Sequence, residues 1–410
     1  MSDIYIIIAG ALQGLGGGEL YNLRRAKYLT KLGYEVIFIT NYIDKSKIKL
    51  EELKEYEILF FPEIEFNKKG IEKIIAKRVL ERKKEKIYIE SNYFWSFGEK
   101  LAKELKCKNL IYIMAEQDFF NWEDRGFYIK KLEKGEVIGV TKETLRISFG
   151  KYWDAKKYSN QYVNIGFSQE EIKSNLLMAK ELKLEKKENY IRIVTVSRFE
   201  KSYIEDMIKS VYEIAKKYNN KKIELILIGD SKNGEKKLEL MKKYKSRDNI
   251  DIRFLGYINP LFSEIYINAD LFIGMGTALI NAASFGCISL GIDPRNNESS
   301  GFFSKDVDTV GYRKDDNTFP IVRKLEEFFL MSDKMKNELK EETLKLFRQE
   351  FEFENIMLKL DNIIFNIPKD NEYIEVSMTL KMRVKYFLYK LRLLSLVKKI
   401  KNKRKKFVNL

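Results

Sequence analysis

Five glycines lie between Gly10 and Gly18, in the run Gly-Ala-Leu-Gln-Gly-Leu-Gly-Gly-Gly, and separate an apolar segment from an amphipathic one. Glycine lets the backbone turn sharply and come close to a ligand. Where such a loop opens a helix, the first turn offers unpaired N–H groups and positive dipole potential to a phosphate. A ligand-free tight turn uses the same residues, so both readings stand at this point. The run lacks Gly-x-x-x-x-Gly-Lys-Ser/Thr, which argues against a P-loop ATPase. A second polar group, Glu116, Gln117 and Asp118, follows the apolar run Ile111-Tyr112-Ile113. Ligands of open α/β sheets bind just past strand ends. These side chains could orient substrate hydroxyls there, or simply cap a helix. The chain has no histidine. Imidazole acid–base catalysis, Ser-His-Asp triads and histidine metal sites are thereby excluded.

These residues are positioned by an alternation of short apolar runs with longer amphipathic stretches, the pattern of βα units around parallel sheets. The first half predicts strands at Ile4–Ala9, Val36–Thr40, Ile58–Phe61, Lys86–Glu90, Leu110–Met114 and Val137–Val140. Helices are expected at Glu19–Leu32, stopped by Gly33, and at Phe97–Leu105 and Lys142–Phe149. Glu170–Asn189 is charged and reads as helical, and the rhythm restarts after it. The second half predicts strands at Ile191–Val196, Ile223–Gly229, Ile250–Leu255, Leu271–Ile273 and Cys287–Ile292. Helices are expected between them, at Tyr203–Lys217, Lys236–Lys245, Phe262–Ala269 and Thr277–Gly286, and then through Pro320–Phe365. At 410 residues the chain is too long for one ordinary core. We expect an N-terminal domain over 1–166, a C-terminal domain over 167–368 and a basic helical tail over 369–410.

The order of segments resembles glycosyltransferase family 4, the glycosyl transferases group 1, which have the GT-B fold. "GGGELYNLRRAKYLTKLGYEVIFIT" (Gly16–Thr40) is similar to that family's glycine loop, helix and strand, with Tyr34 where a His is usual. "VIGVTKETLRISF" and "YVNIGFS" resemble the approach to its interdomain linker. "VTVSRFEKSYIEDMIKSV" (Val194–Val211), "LILIGD", "IRFLGYI" and "FSEIYINADLFIGMG" follow in the family's order. "GMGTALINAASFGCISLGID" (Gly274–Asp293) resembles its closing Gly-rich motif. Together these segments span most of residues 4–367. The resemblance implies two Rossmann-like domains facing each other across a cleft, and transfer of a sugar from a nucleotide diphosphate sugar. It implies retention of anomeric configuration, with no metal and no cofactor. The diphosphate would lie on Gly274, Gly276 and Thr277, neutralised by Arg198 and Lys201. Fixed cations and N–H donors there stabilise charge that builds on the leaving diphosphate. Gly16, Gly17 and Gly18 would approach the donor from the N-terminal domain, and Glu116 and Asp118 would stand near the sugar. Two positions depart from the family: Asn281 stands where a ribose-binding Glu is usual, and Ile273 replaces an earlier Glu. An amide carbonyl still accepts a hydrogen bond, without charge. A degenerate, non-catalytic partner subunit therefore stays open as a second reading. A sugar-nucleotide epimerase is a third, weakened by the missing histidines.

Composition bounds the setting. Hydrophobic residues are 45% and charged residues 33%, sufficient for sizeable cores with solvated helix faces. Two cysteines, Cys107 and Cys287, give no disulfide framework and fit a reducing compartment. No apolar run reaches the ~18–20 residues of a membrane span, so a cytoplasmic protein is expected. The Lys- and Ile-rich usage points to a bacterial source. Residues 376–410 hold twelve Lys/Arg and no Asp/Glu, most of the chain's net charge of +16. Basic, aromatic and leucine residues interleave there, which suits a helix lying on an anionic membrane. No RNA-binding module accompanies the charge, so nucleic acid is not an expected partner.

Overall fold

The first strand, β1 (Ile4–Ala9), is buried along its whole length, as its unbroken apolar run requires of a central parallel strand. In the computed structural model it joins β2 (Glu35–Thr40), β3 (Glu57–Phe60), β4 (Ile87–Ser91), β5 (Asn109–Ile113) and β6 (Val137–Gly139). All pair in parallel, in the order β3-β2-β1-β4-β5-β6. The intervening helices are α1 (Gly17–Lys31), α2 (Ile71–Leu80), α3 (Trp95–Leu105), α4 (Arg125–Glu133) and α5 (Lys142–Phe149). The structure describes residues 3–391 except 11, 13–16, 44–52, 54, 67–69, 118, 120–121, 232–233, 248, 294, 310–316, 369–371 and 377–378.

A second sheet repeats the plan. It comprises β7 (Tyr190–Val196), β8 (Lys222–Ile228), β9 (Ile250–Gly256), β10 (Leu271–Gly274), β11 (Ser289–Ile292) and β12 (Ser299–Phe302). Their order is β12-β11-β10-β7-β8-β9, parallel except for the edge strand β12, which runs antiparallel to β11. Its helices are α6 (Leu176–Glu181), α7 (Tyr203–Lys217), α8 (Glu235–Lys243), α9 (Glu264–Ile267), α10 (Thr277–Ser284), α11 (Ile321–Leu330) and α12 (Asp333–Glu350). α13 (Phe353–Phe365) and α14 (Leu380–Lys390) follow. Apolar side chains of β7, β8, β10 and β11 and the inner faces of α7 and α11 form one core, including Ile193, Met207, Leu225 and Leu325. The expected α/β class, with two Rossmann-like parallel-sheet units, is the one observed.

Three segments differ from expectation. Glu170–Asn189 contains only the short α6 and a 3-10 turn at Gln169–Glu171. Its backbone groups are taken up by charged side chains from elsewhere in the second unit rather than by a long helix. The Glu264 carboxylate accepts from the Asn175 N–H at 3.1 Å, and Arg192 and Arg253 take carbonyls of residues 182–185. Lys183 and Asn189 have positive φ, which ends helical continuity. β12 has the sequence Ser-Ser-Gly-Phe and carries no strand pattern.

The third difference is the end of the body. The chain divides into one unit of residues 1–163 with 357–410 and another of 164–356, whereas the sequence reading divides it at 166/167 and 368/369. Residues after Ile356 group with the first unit because their side chains are bound there. Asp361 meets the fully buried Arg25 at 2.6 Å, and Phe365 packs on Tyr34 and Tyr88. Tyr34, the residue in the resemblance's His position, is thus part of an aromatic cluster with Tyr5, Tyr88 and Phe365. The described residues beyond Pro368 lie along the same unit. The Ile374 N–H donates to Glu99 at 3.0 Å, Tyr373, Ile374 and Val376 pack on its core, and the Leu380 N–H donates to Glu123. Among the described residues no helix is long and apolar enough to cross a membrane.

Candidate functional site

In the second unit the chain leaves β7 in both directions, with β8 on one side and β10 on the other. The parallel pairs Leu271–Ile193 and Phe272–Val194 bring the C-terminal ends of β7 and β10 side by side. This is the switch point at which open α/β sheets bind ligands. Arg198 and Lys201 sit in the turn after β7, joined by a 3.2 Å bond from the Lys201 N–H to the Arg198 carbonyl. The turn is held against the next strand by bonds from Ser197 N–H to the Ile228 carbonyl at 2.9 Å and from Phe199 N–H to the Asp230 carbonyl at 3.2 Å. Gly229 makes that approach possible. Its φ is 138°, and a Cβ there would overlap the Ser197 carbonyl.

Arg198 is exposed and Lys201 half-buried. Burial lowers the pKa of Lys201, and the neighbouring Arg198 charge lowers it further. Among the described residues no carboxylate forms an ion pair with either. Two like charges held together are unfavourable until an anion arrives. Beside them β10 ends at Gly274, and Gly276, at φ 64°, turns the chain into α10. No side chain caps α10. The N–H groups of Thr277 and Ala278 open the helix without a helical acceptor, whereas that of Leu279 donates to the Gly276 carbonyl at 3.1 Å. Asn281 lies one turn further on, half-buried, and its side chain faces the buried Tyr266 hydroxyl without well-formed hydrogen-bond geometry. Burial raises the pKa of that hydroxyl well above its usual value, with Asn281 opposing. Cys287, also buried, has its thiol pushed up to about 12, chiefly by desolvation, and is no nucleophile.

The first unit has a concavity of its own at the corresponding switch point between β1 and β4. A cavity of about 680 Å³ opens past the ends of β1, β2, β4 and β5. Gly18, Glu19 and Asn22 enter from the first turns of α1, and Tyr93, Phe94 and Trp95 form an aromatic side. Asn92 lies in its floor, 7% exposed. Its Nδ2 donates to Asn22 Oδ1 at 2.6 Å and to Glu90 Oε1 at 3.1 Å, while its Oδ1 has no partner. A buried acceptor left open toward a cavity suits a ligand hydroxyl. Amides, carboxylates and aromatic faces together suit a polyhydroxylated ring.

Of the residues singled out from the sequence, Arg198, Lys201, Gly274, Gly276 and Thr277 share one edge of the second sheet, with Asn281 a turn deeper. Ile273 is fully buried within β10. Gly17 begins α1, and Gly18 lines the cavity, where a Cβ would come within 3.1 Å of the Met114 sulfur. Glu116 is half-buried in the loop after β5. Its neighbours Ala115 and Gln117 line the cavity, and Ser148 Oγ accepts from the Gln117 N–H at 2.9 Å. Gly16 and Asp118 lie outside the described residues. Sequence reasoning missed Asn22, Asn92 and the Tyr93-Phe94-Trp95 run. Asn92 and the aromatic run follow β4 directly, a positional signal that could have found them, whereas Asn22 lies inside α1 and carries none.

Residues 179–300 match the family described as glycosyl transferases group 1. The matched stretch lies within the second unit, residues 164–356. No curated protein matches the chain by sequence. Among solved structures, a glycosyltransferase from Rickettsia africae is similar over 89% of this chain and 98% of its own, at 15% identity and a TM-score of 0.66. The Anabaena protein Alr3699/HepE, in complex with UDP and glucose, is similar over 88% of this chain and 98% of its own, at 12% identity and a TM-score of 0.58. WaaG, a glycosyltransferase involved in lipopolysaccharide biosynthesis, is similar over 88% of this chain and all of its own, at 11% identity and a TM-score of 0.52. The chain thus has the GT-B fold, and the stretch that matches the family contains the Arg198, Lys201 and Gly274–Thr277 edge.

Proposed function

We propose that the chain transfers a hexosyl group from a nucleotide diphosphate sugar to a glycan or lipid-linked acceptor in cell-surface polysaccharide synthesis, with retention and without a metal. The observation that carries this reading is the pair Arg198 and Lys201 beside the uncapped N-terminus of α10, inside the family-matched stretch. A diphosphate there meets two cations and the N–H groups of the Gly274–Thr277 turn. As the sugar–phosphate bond breaks, the leaving diphosphate gains charge, and these fixed groups stabilise it. The first unit's cavity takes the acceptor, with Glu116 and Asp118 orienting hydroxyls. We assign the basic tail to an anionic membrane surface on the cytoplasmic side.

A thermal-shift panel of UDP-, GDP-, ADP- and CMP-sugars tests the donor, because a ligand that binds only the folded state raises its melting temperature. One class of nucleotide should raise it, and nucleoside diphosphate should be released when acceptor is added. Binding without release would identify a non-catalytic subunit, and no binding of any nucleotide would overturn the reading.

Asn281 is assigned to the donor ribose, its carbonyl accepting a hydroxyl. Asn281→Ala is expected to raise the donor KM by about fivefold to tenfold, the loss of one hydrogen bond of about 1 kcal/mol or slightly more. The acceptor KM should stay within about twofold. A variant that is only less stable, with donor kinetics intact, would make Asn281 a packing partner of Tyr266.

A further inference from the structure

α14 lies along the first unit with two different faces. Its inner face holds Met382, Lys385, Tyr386 and Tyr389. The two tyrosine rings pack on Phe66, at 5.5 and 4.9 Å between centroids, and Lys385 reaches the Glu65 carboxylate. The outer face is a stripe of Leu380, Val384, Phe387 and Leu391, exposed by 67, 52, 63 and 50%. The spacing i, i+4, i+7, i+11 keeps all four on one side of a helix. A helix already docked by one apolar face has no folding reason to carry a second apolar face in water. Lys381, Arg383 and Lys390 flank the stripe along the same helix, and residues 379–391 contain no acid.

We infer that this outward face of α14 is a docking surface for an anionic lipid bilayer. The inference deepens the assignment of the basic tail, and rests on it, by naming a folded face and its four contact residues. Charge complementarity selects the occupant. A stripe of large apolar side chains among lysines and arginines inserts at the boundary of head groups and acyl chains, while the cations meet anionic head groups. A nucleic acid would use the cations and leave Phe387 and Leu391 without a role. The inner face gives the docking a consequence. Lys385 contacts Glu65, and Glu65 lines the first unit's cavity, so a bilayer on α14 lies beside that cavity within one unit.

The test uses the full chain with vesicles of phosphatidylcholine alone or mixed with phosphatidylglycerol, read by co-sedimentation. Wild-type protein should bind the mixed vesicles and bind phosphatidylcholine at least about tenfold more weakly. The double variant V384E/F387E should lose at least about tenfold in binding to the mixed vesicles, with an unchanged melting temperature because both positions face water. A second pair reads the face directly. In F387W the new indole should be quenched by brominated lipid, and in Y386W, where it replaces a ring packed on Phe66, it should not. Full binding by V384E/F387E, equal quenching in the two tryptophan variants, or preference for RNA over vesicles would overturn the inference. These readouts involve no sugar, so their failure leaves the sugar-transfer reading standing, and loss of transfer leaves this one standing.

Discussion

Arg198→Ala is expected to weaken nucleotide-sugar donor affinity and transfer together, by about tenfold to a hundredfold each, with an unchanged melting temperature. Arg198 is exposed and pairs with no carboxylate among the described residues, so removing it strands nothing in the folded state. Its assigned work begins when a diphosphate binds. Hydrogen bonds to charged groups contribute about 1.5–3 kcal/mol, which sets the range. Loss of a charge aimed at the leaving group lowers kcat as well as raising KM, because the interaction strengthens as the bond breaks. Arg198→Lys should recover part of the affinity and less of the rate, since an ammonium lacks the planar fork that meets two phosphate oxygens. Lys201→Ala should behave similarly but lose less. Removing Lys201 also relieves the repulsion on Arg198, just as Arg198 lowers the pKa of Lys201 now. Steady-state kinetics and isothermal titration with the nucleoside diphosphate check the series. An Arg198→Ala protein with wild-type donor affinity and turnover would remove the diphosphate from this edge.

Arg25→Met should be the most destabilising single change, at about 3–5 kcal/mol, because it leaves buried carboxylates without their cation. Arg25 is fully buried. Its Nε lies 3.3 Å from Glu90 and its Nη2 lies 2.6 Å from Asp361 on α13. The Tyr5 hydroxyl accepts from Arg25 at 2.8 Å and donates to Glu90 at 2.7 Å, and the Tyr21 hydroxyl donates to Glu90 at 2.8 Å. Burial disfavours the guanidinium charge, but the surrounding tyrosines and carboxylates hold it firmly protonated. Glu90 also accepts from Asn92 in the cavity floor, so the network ties that floor to α13. Urea unfolding followed by tryptophan fluorescence isolates the effect, since Trp95, Trp122 and Trp153 all belong to the first unit. The triple variant Arg25→Met, Glu90→Gln, Asp361→Asn should recover much of the loss by removing the stranded charges. A loss below about 1 kcal/mol for Arg25→Met alone would mean the network is wet and weak.

The Arg25 network could not be read from the chain alone, although much around it could. Eleven of the strands follow from apolar runs within a residue or two, because a strand buried on both faces admits few polar side chains and the run marks it locally. β12 escapes because Ser-Ser-Gly-Phe has no such run; its place is set by pairing with β11 and by Asp306 bonding the Phe302 N–H. The long charged segment before β7 misleads for a related reason. Helix propensity is a weak local preference, and the arginines of β7 and β9 offer its carbonyls stronger partners.

By itself the sequence determined the α/β class, the doubling of the Rossmann-like plan, the absence of imidazole chemistry and the basic edge around Arg198. These depend on local patterns: apolar period, glycine at turns, and charge just past a strand. Tertiary structure alone decided the rest. Asn92 meets Asn22 across 70 residues, and Tyr21 meets Glu90 across 69, to build a cavity floor that no local pattern announces. The return of α13 to Arg25, and of α14 to Phe66, likewise joins ends of the chain that periodicity treats as independent. The physical reason is that burial of an apolar run is satisfied by any apolar surface, so it specifies elements without specifying neighbours. Buried charges and amides are satisfied only by particular partners at hydrogen-bond distance, and only the folded topology brings those partners together.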